Sequence, residues 1–263
     1  MNDESTMREP RRIKSIEVGF RILRLLEQVQ EKLPLRDIAA GVGMPASNAH
    51  LYLASFLHEG VVERDPVSGR YGLGPFAVQL GSAALRHSSL VERAKDLLSQ
   101  LRTQTRHSVS LAVWGNRGPT IVFNIDGDEY GPMGIRAGHV LPLLSTATGR
   151  VFLSWLPTEQ TEQLVEQERS SSVGLAGNFD ARIRDATIVD IARDVRREGI
   201  ARTDPAMSGG FFAASAPVFD QMRQLCAAIT TLGPELDNTA AARLEEALRN
   251  TADELSRRLG APR

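Results

Sequence analysis

The chain is nearly devoid of cysteine: Cys226 stands alone among 263 residues. A single thiol excludes an internal disulfide and a multi-cysteine metal cluster, and it leads to the expectation of a cytoplasmic protein. No apolar run approaches the ~18–20 residues of a membrane span. The charged opening MNDESTMREPRRIKS is not followed by the apolar core of a secretory signal, so no membrane partner is expected. An excess of one charge is missing too. With 31 Lys and Arg against 32 Asp and Glu, the formal net charge is −1, and any affinity for nucleic acid has to be local. Internal repeats and low-complexity tracts are also absent. What remains is an ordinary globular composition, 42% hydrophobic and 24% charged, on a chain long enough for two domains of ~100–200 residues each.

Apolar periodicity divides the chain. SIEVGFRILRLLEQVQ places Ile16, Phe20, Leu23 and Leu26 on one helical face, with Ser15 as its expected N-cap. LPLRDIAAGVG reads as a short helix with Leu35, Ile38, Ala39 and Val42 inward, ended by Gly43. Pro45 then suits the first turn of a third helix. Its predicted buried stripe is Ala49, Tyr52, Leu53 and Phe56, and its other face carries Ser47, Asn48, His50, Leu51, Ala54 and Ser55. VVERDPVSGRYGLG reads as a hairpin, Val61–Arg64 against Arg70–Leu73, around a DPVSG turn. Three helices and a hairpin make a winged helix-turn-helix. One further absence matters here: from Ile38 to Glu63 there is no lysine or arginine.

Residues 75–90 read as a linking helix and VERAKDLLSQLRTQT as an amphipathic one. Beyond them the runs SVSLAVW, TIVFNID, FFAASAPVF and LCAAITTLG read as strands, interleaved with helices at STATGRVFLSW, TEQTEQLVEQER and RDATIVDIARDVRREG. A C-terminal helix carries Leu244, Leu248, Leu255 and Leu259 inward. The fold class is therefore α+β, with an antiparallel sheet flanked by helices in the second domain. The predicted organisation is a basic arm at 1–14, a winged helix-turn-helix at 15–74, a linker helix at 75–90 and a second domain at 91–263.

Catalysis finds little support. His107 and His139 are isolated, Cys226 lies in an apolar strand, and Asp126, Asp128 and Glu129 lack the spacing of a calcium loop and read as a solvated turn. No cofactor is expected.

SIEVGFRILRLLEQ, LPLRDIAAGVGMPASNAHLYLASFLHEGVVERD, GRYGLGPFAVQLG, LPLLSTATGRVFLSWLP and SAPVFD…AAITTLGP, in this order, resemble the IclR-type bacterial transcription regulators over roughly Ser15 to Gly260. The resemblance implies an N-terminal winged helix-turn-helix for operator DNA, a C-terminal GAF-like antiparallel-sheet domain that binds a small-molecule effector, and a homodimer, often paired into a tetramer. The chain departs from the family where it has Ala46 and Leu51 in place of commonly basic residues. It also reads Pro142-Leu143-Leu144-Ser145-Thr146-Ala147-Thr148-Gly149-Arg150 where many members read P-L-H-A-T-A-x-G-K, and Ala213 or Phe212 where many carry a cysteine.

On this basis Ser47, Asn48, His50 and Leu51 are candidates for base edges and a thymine methyl. Since the third helix has no cation, phosphate contacts fall to Arg11 and Arg12 in the arm, Arg36 at a helix start, and Arg64 and Arg70 at the wing. The resemblance places the effector pocket at Ala147, Thr148, Thr203, Asp204, Ala213 and Thr230, with apolar walls from Met133, Leu144, Phe212 and Leu232. Such walls suit an aromatic or medium-sized apolar acid or amide, its carboxylate meeting the Ala147 and Thr148 N–H groups. The rival reading is a metabolite-binding protein or enzyme that keeps a degenerate helix-turn-helix as a dimerisation module.

Overall fold

The computed structural model describes residues 13–29, 31–87, 89–128, 135–170, 185–203, 211–234 and 236–262. They form two compact units that divide between residues 87 and 88. Met133, Asp204, Arg11 and Arg12 lie outside the described residues.

In the first unit α1 (Lys14–Gln28), α2 (Leu35–Gly41) and α3 (Ala46–His58) precede the hairpin β1 (Val62–Arg64) and β2 (Tyr71–Leu73), and α4 (Pro75–His87) follows. Ile22, Leu26, Ile38, Val42, Leu53, Val62 and Tyr71 build its core. Gly43 takes φ +66°, the left-handed turn that ends α2 and that glycine adopts without strain. Asp65 holds the wing turn: its Oδ1 accepts the Val67 and Ser68 N–H groups at 3.1 and 2.7 Å, which also keeps its carboxyl below the usual carboxylate range. Leu33, ahead of α2, exchanges backbone hydrogen bonds with Tyr71 at 2.9 and 2.7 Å, adding a third strand segment that hydrophobic patterning does not reveal.

Helix α1 corrects the expected stripe. Gly19, Ile22 and Leu26 face inward, while Ile16 and Phe20 are 53% and 52% exposed. The expected stripe divides: Leu26 lies in the core and Leu23 packs against it, whereas the first turns are apolar on two sides and Ile16 and Phe20 take the outer one. Gly19 lies under Phe56, whose ring would stand 2.9 Å from an added Cβ, so the tight contact forms on the glycine side. The N-cap is Ile13, without a side-chain bond, rather than Ser15.

The second unit starts with α5 (Ser89–Thr105) and continues through β3 (Ser108–Gly115), β4 (Gly118–Ile125), α6 (Ala147–Trp155), α7 (Thr158–Ser170), α8 (Asp185–Glu198), β5 (Ala201–Arg202), β6 (Phe211–Phe219), β7 (Leu225–Pro234) and α9 (Asn238–Arg258). The strands form one antiparallel sheet in the order β4-β3-β7-β6-β5. Successive strand residues point to opposite faces. Val109, Leu111, Phe212, Ala214, Ala216, Val218, Ala227 and Ile229 therefore pack with α5 and α9, and Ala112, Ala213 and Ala228 pack with α6. Both faces are covered, which explains why these strands read as continuous apolar runs.

Leu53 and Leu51 lie two residues apart on α3, one fully buried and one 67% exposed. Leu53→Ala is expected to destabilise the protein by about 2–5 kcal/mol and Leu51→Ala by less than about 0.5 kcal/mol, read by urea unfolding of the two variants.

Candidate functional site

Helix α3 buries Ala49 and Leu53, half-buries Tyr52 and Phe56, and exposes Ser47, Asn48, His50, Leu51, Ala54 and Ser55. Pro45 caps its N-terminus through the backbone only, without a side-chain bond, so the first amides of α3 point outward with the positive end of the helix dipole. Around it the cations are tethered. Lys32 pairs with Glu63 at 2.8 Å. Arg64 donates to Gly69 O at 3.1 Å and lies over the Tyr71 ring at 5.5 Å. Arg70 stands 3.9 Å from Glu31, and Arg36 pairs with Asp37 at 2.9 Å. Exposed pairs of this kind are worth about 0–1 kcal/mol, so exchanging such a partner for a phosphate oxygen costs little.

In the second unit the helix α6 begins at a well-defined cap. Thr146 Oγ1 accepts the Gly149 N–H at 2.9 Å and donates to Pro142 O at 2.7 Å. The Ala147 and Thr148 amides, the first two of the helix, lie ahead of the bond that the cap makes. Gly149 is held by contact: a Cβ there would stand 2.0 Å from Pro142 O, so only glycine lets the preceding loop fold back onto the helix.

Against this helix start the sheet presents a row of hydroxyls. Ser110, Thr230 and Ser215 are register partners on three adjacent strands. Thr230 Oγ1 lies 2.7 Å from Thr148 Oγ1 and 2.8 Å from Ser215 Oγ. All four residues are buried. Two register steps along, on the same face, Ala213 pairs with Leu232, and its carbonyl accepts the Thr203 N–H at 2.9 Å. Thr203 Oγ1 is buried with no hydrogen-bond partner among the described residues. The structure thus brings together Ala147, Thr148, Thr203, Ala213, Thr230 and Leu232, with Leu144 fully buried beside them.

Phe212 is the correction. Period two sends it to the opposite face of the sheet, among the residues packed on α5 and α9, so it cannot wall a space shared by Ala213 and Thr230. Ser215, Ser110, Glu168 and Arg150 were missed. Ser215 carried a signal, as the lone polar residue of the apolar run FFAASAPVF. Glu168 carried none: its carboxylate accepts the Leu143 and Leu144 N–H groups at 2.6 and 3.0 Å from 25 and 24 residues downstream, and burial raises its pKa above the ordinary value. A separate cleft of about 890 Å³ opens beside the β3–β4 turn, lined in part by Trp114, Arg117, Gln160 and Gln163; none of the predicted residues lines it.

The residues set aside for catalysis have structural surroundings. The His107 ring nitrogens lie 2.9 Å from Thr105 O and 3.3 Å from Pro234 O, tying the start of β3 to the end of β7. Asp128 is bound by Arg102 and Arg106 at 2.7 and 2.8 Å, and Asp126 by Arg136 at 3.2 Å; Glu129 lies outside the described residues. Cys226 packs against the apolar cluster of α5 and α9.

Comparison with known proteins gives a consistent assignment. Residues 15–66 match the IclR helix-turn-helix domain, and residues 82–257 match the bacterial transcriptional regulator IclR C-terminal domain. The chain is 32% identical over 257 residues to the glycerol operon regulatory protein of Streptomyces griseus, covering 96% of this chain and 99% of the relative. Among solved structures it is similar to Pseudomonas aeruginosa HmgR, at 33% identity and a TM-score of 0.55 over 95% of this chain and 99% of that one. It also shares its fold with an IclR homolog from Microbacterium hydrocarbonoxydans complexed with 4-hydroxybenzoate, at 19% identity and a TM-score of 0.72 over 91% and 98% of the two chains.

Burial, followed by the charge of Asp220, pushes the Cys226 thiol up to about 11. Only the thiolate is nucleophilic, so alkylation of the folded protein by iodoacetamide at pH 8 should run on the order of a hundredfold slower than that of an unstructured thiol, and recover its normal rate in denaturant. Fast labelling of the native protein would contradict this environment.

Proposed function

The chain belongs to the IclR family of bacterial transcription regulators, and from that premise we propose a cytoplasmic homodimer whose operator affinity changes when an aromatic or medium-sized apolar acid occupies its second unit. The observation that carries the effector reading is the α6 start. Two early helix amides and a buried hydroxyl row converge there, between the apolar side chains of Leu144, Ala213 and Leu232. Amides at a helix start suit a carboxylate, and walls with few charges suit a ring. The 4-hydroxybenzoate held by the Microbacterium homolog makes that acid the first probe to try.

The dimer is supported by apolar surface on the first unit. The N-cap Ile13 with Ile16 and Phe20 of α1 form an exposed strip, and Phe76, Val78 and Leu80 are exposed on α4. A second copy would take this surface out of water, the ordinary use of such patches.

For DNA, Ser47, Asn48, His50 and Leu51 form the reading face of α3. Phosphates are met by its amino-terminal amides, by Arg36, Arg64 and Arg70, and by Arg11 and Arg12 of the arm. The ligand acts only through its differential affinity for two arrangements of the dimer, a coupling of typically ~1–3 kcal/mol.

Operator selection from random DNA, followed by gel-shift titration with 4-hydroxybenzoate and related carboxylates, tests the whole reading. A selected site whose affinity no acid alters would sink the effector assignment. Asn48→Ala is expected to lose about 1–3 kcal/mol of discrimination at one base pair with the salt dependence unchanged. Removing residues 1–12 should do the reverse, lowering the salt slope by about 0.9 per arm phosphate while the selected sequence stays the same.

A further inference from the structure

The loop 142–146 ahead of α6 is gripped from both sides by long side chains that come from elsewhere in the unit. Its Leu143 and Leu144 N–H groups are taken by the two oxygens of Glu168 on α7. Its Leu144 carbonyl is taken by Nε of Arg150, at 3.0 Å. The same guanidinium reaches in the other direction: Arg150 Nη1 donates to Arg202 O at 2.7 Å. Arg202 is the last residue of the two-residue strand β5 and immediately precedes Thr203. Its own side chain is bound by Glu198 of α8 and by Glu245 of α9, the latter buried.

We propose that Arg150 and Glu168 are positioning residues for the effector: Arg150 ties the helix-start lip of the pocket to its Thr203 lip, and Glu168 fixes the helix-start lip alone. This inference rests on the effector site proposed above. Two carbonyls on different chain segments need two donors in a fixed geometry. The planar guanidinium supplies them from one side chain, whereas a lysine nitrogen is a single centre on a flexible stem. Glu168 answers the complementary need. Two adjacent amides facing into the protein require two acceptors, and a carboxylate provides both within one group. Neither residue has to touch the ligand. Together they decide where the Ala147 and Thr148 amides stand relative to Thr203, and a recognition site tolerates only about 0.5 Å of looseness in such groups.

The test compares full-length wild-type protein with Arg150→Lys and Glu168→Gln. Amide hydrogen exchange is read in the ligand-free state, and 4-hydroxybenzoate affinity is read by calorimetry. Arg150→Lys should speed exchange about tenfold, the worth of a charge-assisted bond, in 143–149 and 201–203 together. Glu168→Gln should speed it in 143–149 only, and β7 should be unaffected in both. If Arg150→Lys leaves 201–203 unchanged, or loosens the whole sheet evenly, the tie between the lips is refuted. For ligand, both variants should bind about tenfold more weakly while ligand-free operator affinity stays at the wild-type value; unaltered ligand affinity despite opened lips would overturn the positioning role. Should wild-type protein bind no acid at all, the effector assignment fails, and the exchange data alone decide whether the clamp exists.

Discussion

The second unit is governed by a sheet that is buried on both faces. Each strand must supply apolar side chains to α5 and α9 on one side and to α6 on the other, so a polar group within it has to be satisfied locally or it costs free energy. Thr230 and Ser215 meet this demand by bonding to each other across register, with Thr148 of α6 bonded to Thr230 to extend the pair and Ser110 alongside in register. The same alternation sets a cluster of three bonded hydroxyls, on Thr148, Thr230 and Ser215, at the start of one helix. The effector site proposed for this unit draws on that row and not on any single reactive side chain.

Much of this was readable from the sequence. The strands announced themselves as apolar runs, α6 by its threonine-rich start, and α3 by a stripe whose exposed counterpart was correctly separated down to Leu51. Failures occurred where two choices had equal periodicity or where partners were remote. The first turns of helix α1 are apolar on two sides, and the contact of Gly19 with Phe56 decides between them, while Leu23 and Leu26 of the expected stripe do reach the core. Phe212 and Ala213 are neighbours in sequence on opposite faces, so a strand alignment uncertain by one residue exchanges wall for core. The pairing of Glu168 with Leu143 and Leu144 spans a helix and its connection, and no local pattern encodes it. Arg150 was noticed as an arginine where relatives often have lysine, but its two carbonyl partners emerge only in three dimensions.

The first unit solves a different problem. A helix without cations has no attraction for phosphate beyond its own backbone dipole, so its side chains are free to discriminate and not merely to adhere. The described cations around it are held by weak exposed pairs at the wing and at α2. In the proposed division of labour, separating the groups that read from the groups that attract would make specificity and affinity tunable at different positions.

The apolar strip of Ile13, Ile16 and Phe20 has a consequence for abundance. Where association covers such a surface, mass action makes the stability of the DNA-binding unit depend on protomer concentration. In the proposed homodimer, synthesis and dilution would act in the same sense as unfolding: few copies per cell would leave monomers with a wet hydrophobic flank of the kind that proteases and chaperones recognise. For the proposed homodimer, copy number would then be a second control variable, independent of any ligand, with its set point written in a few apolar side chains.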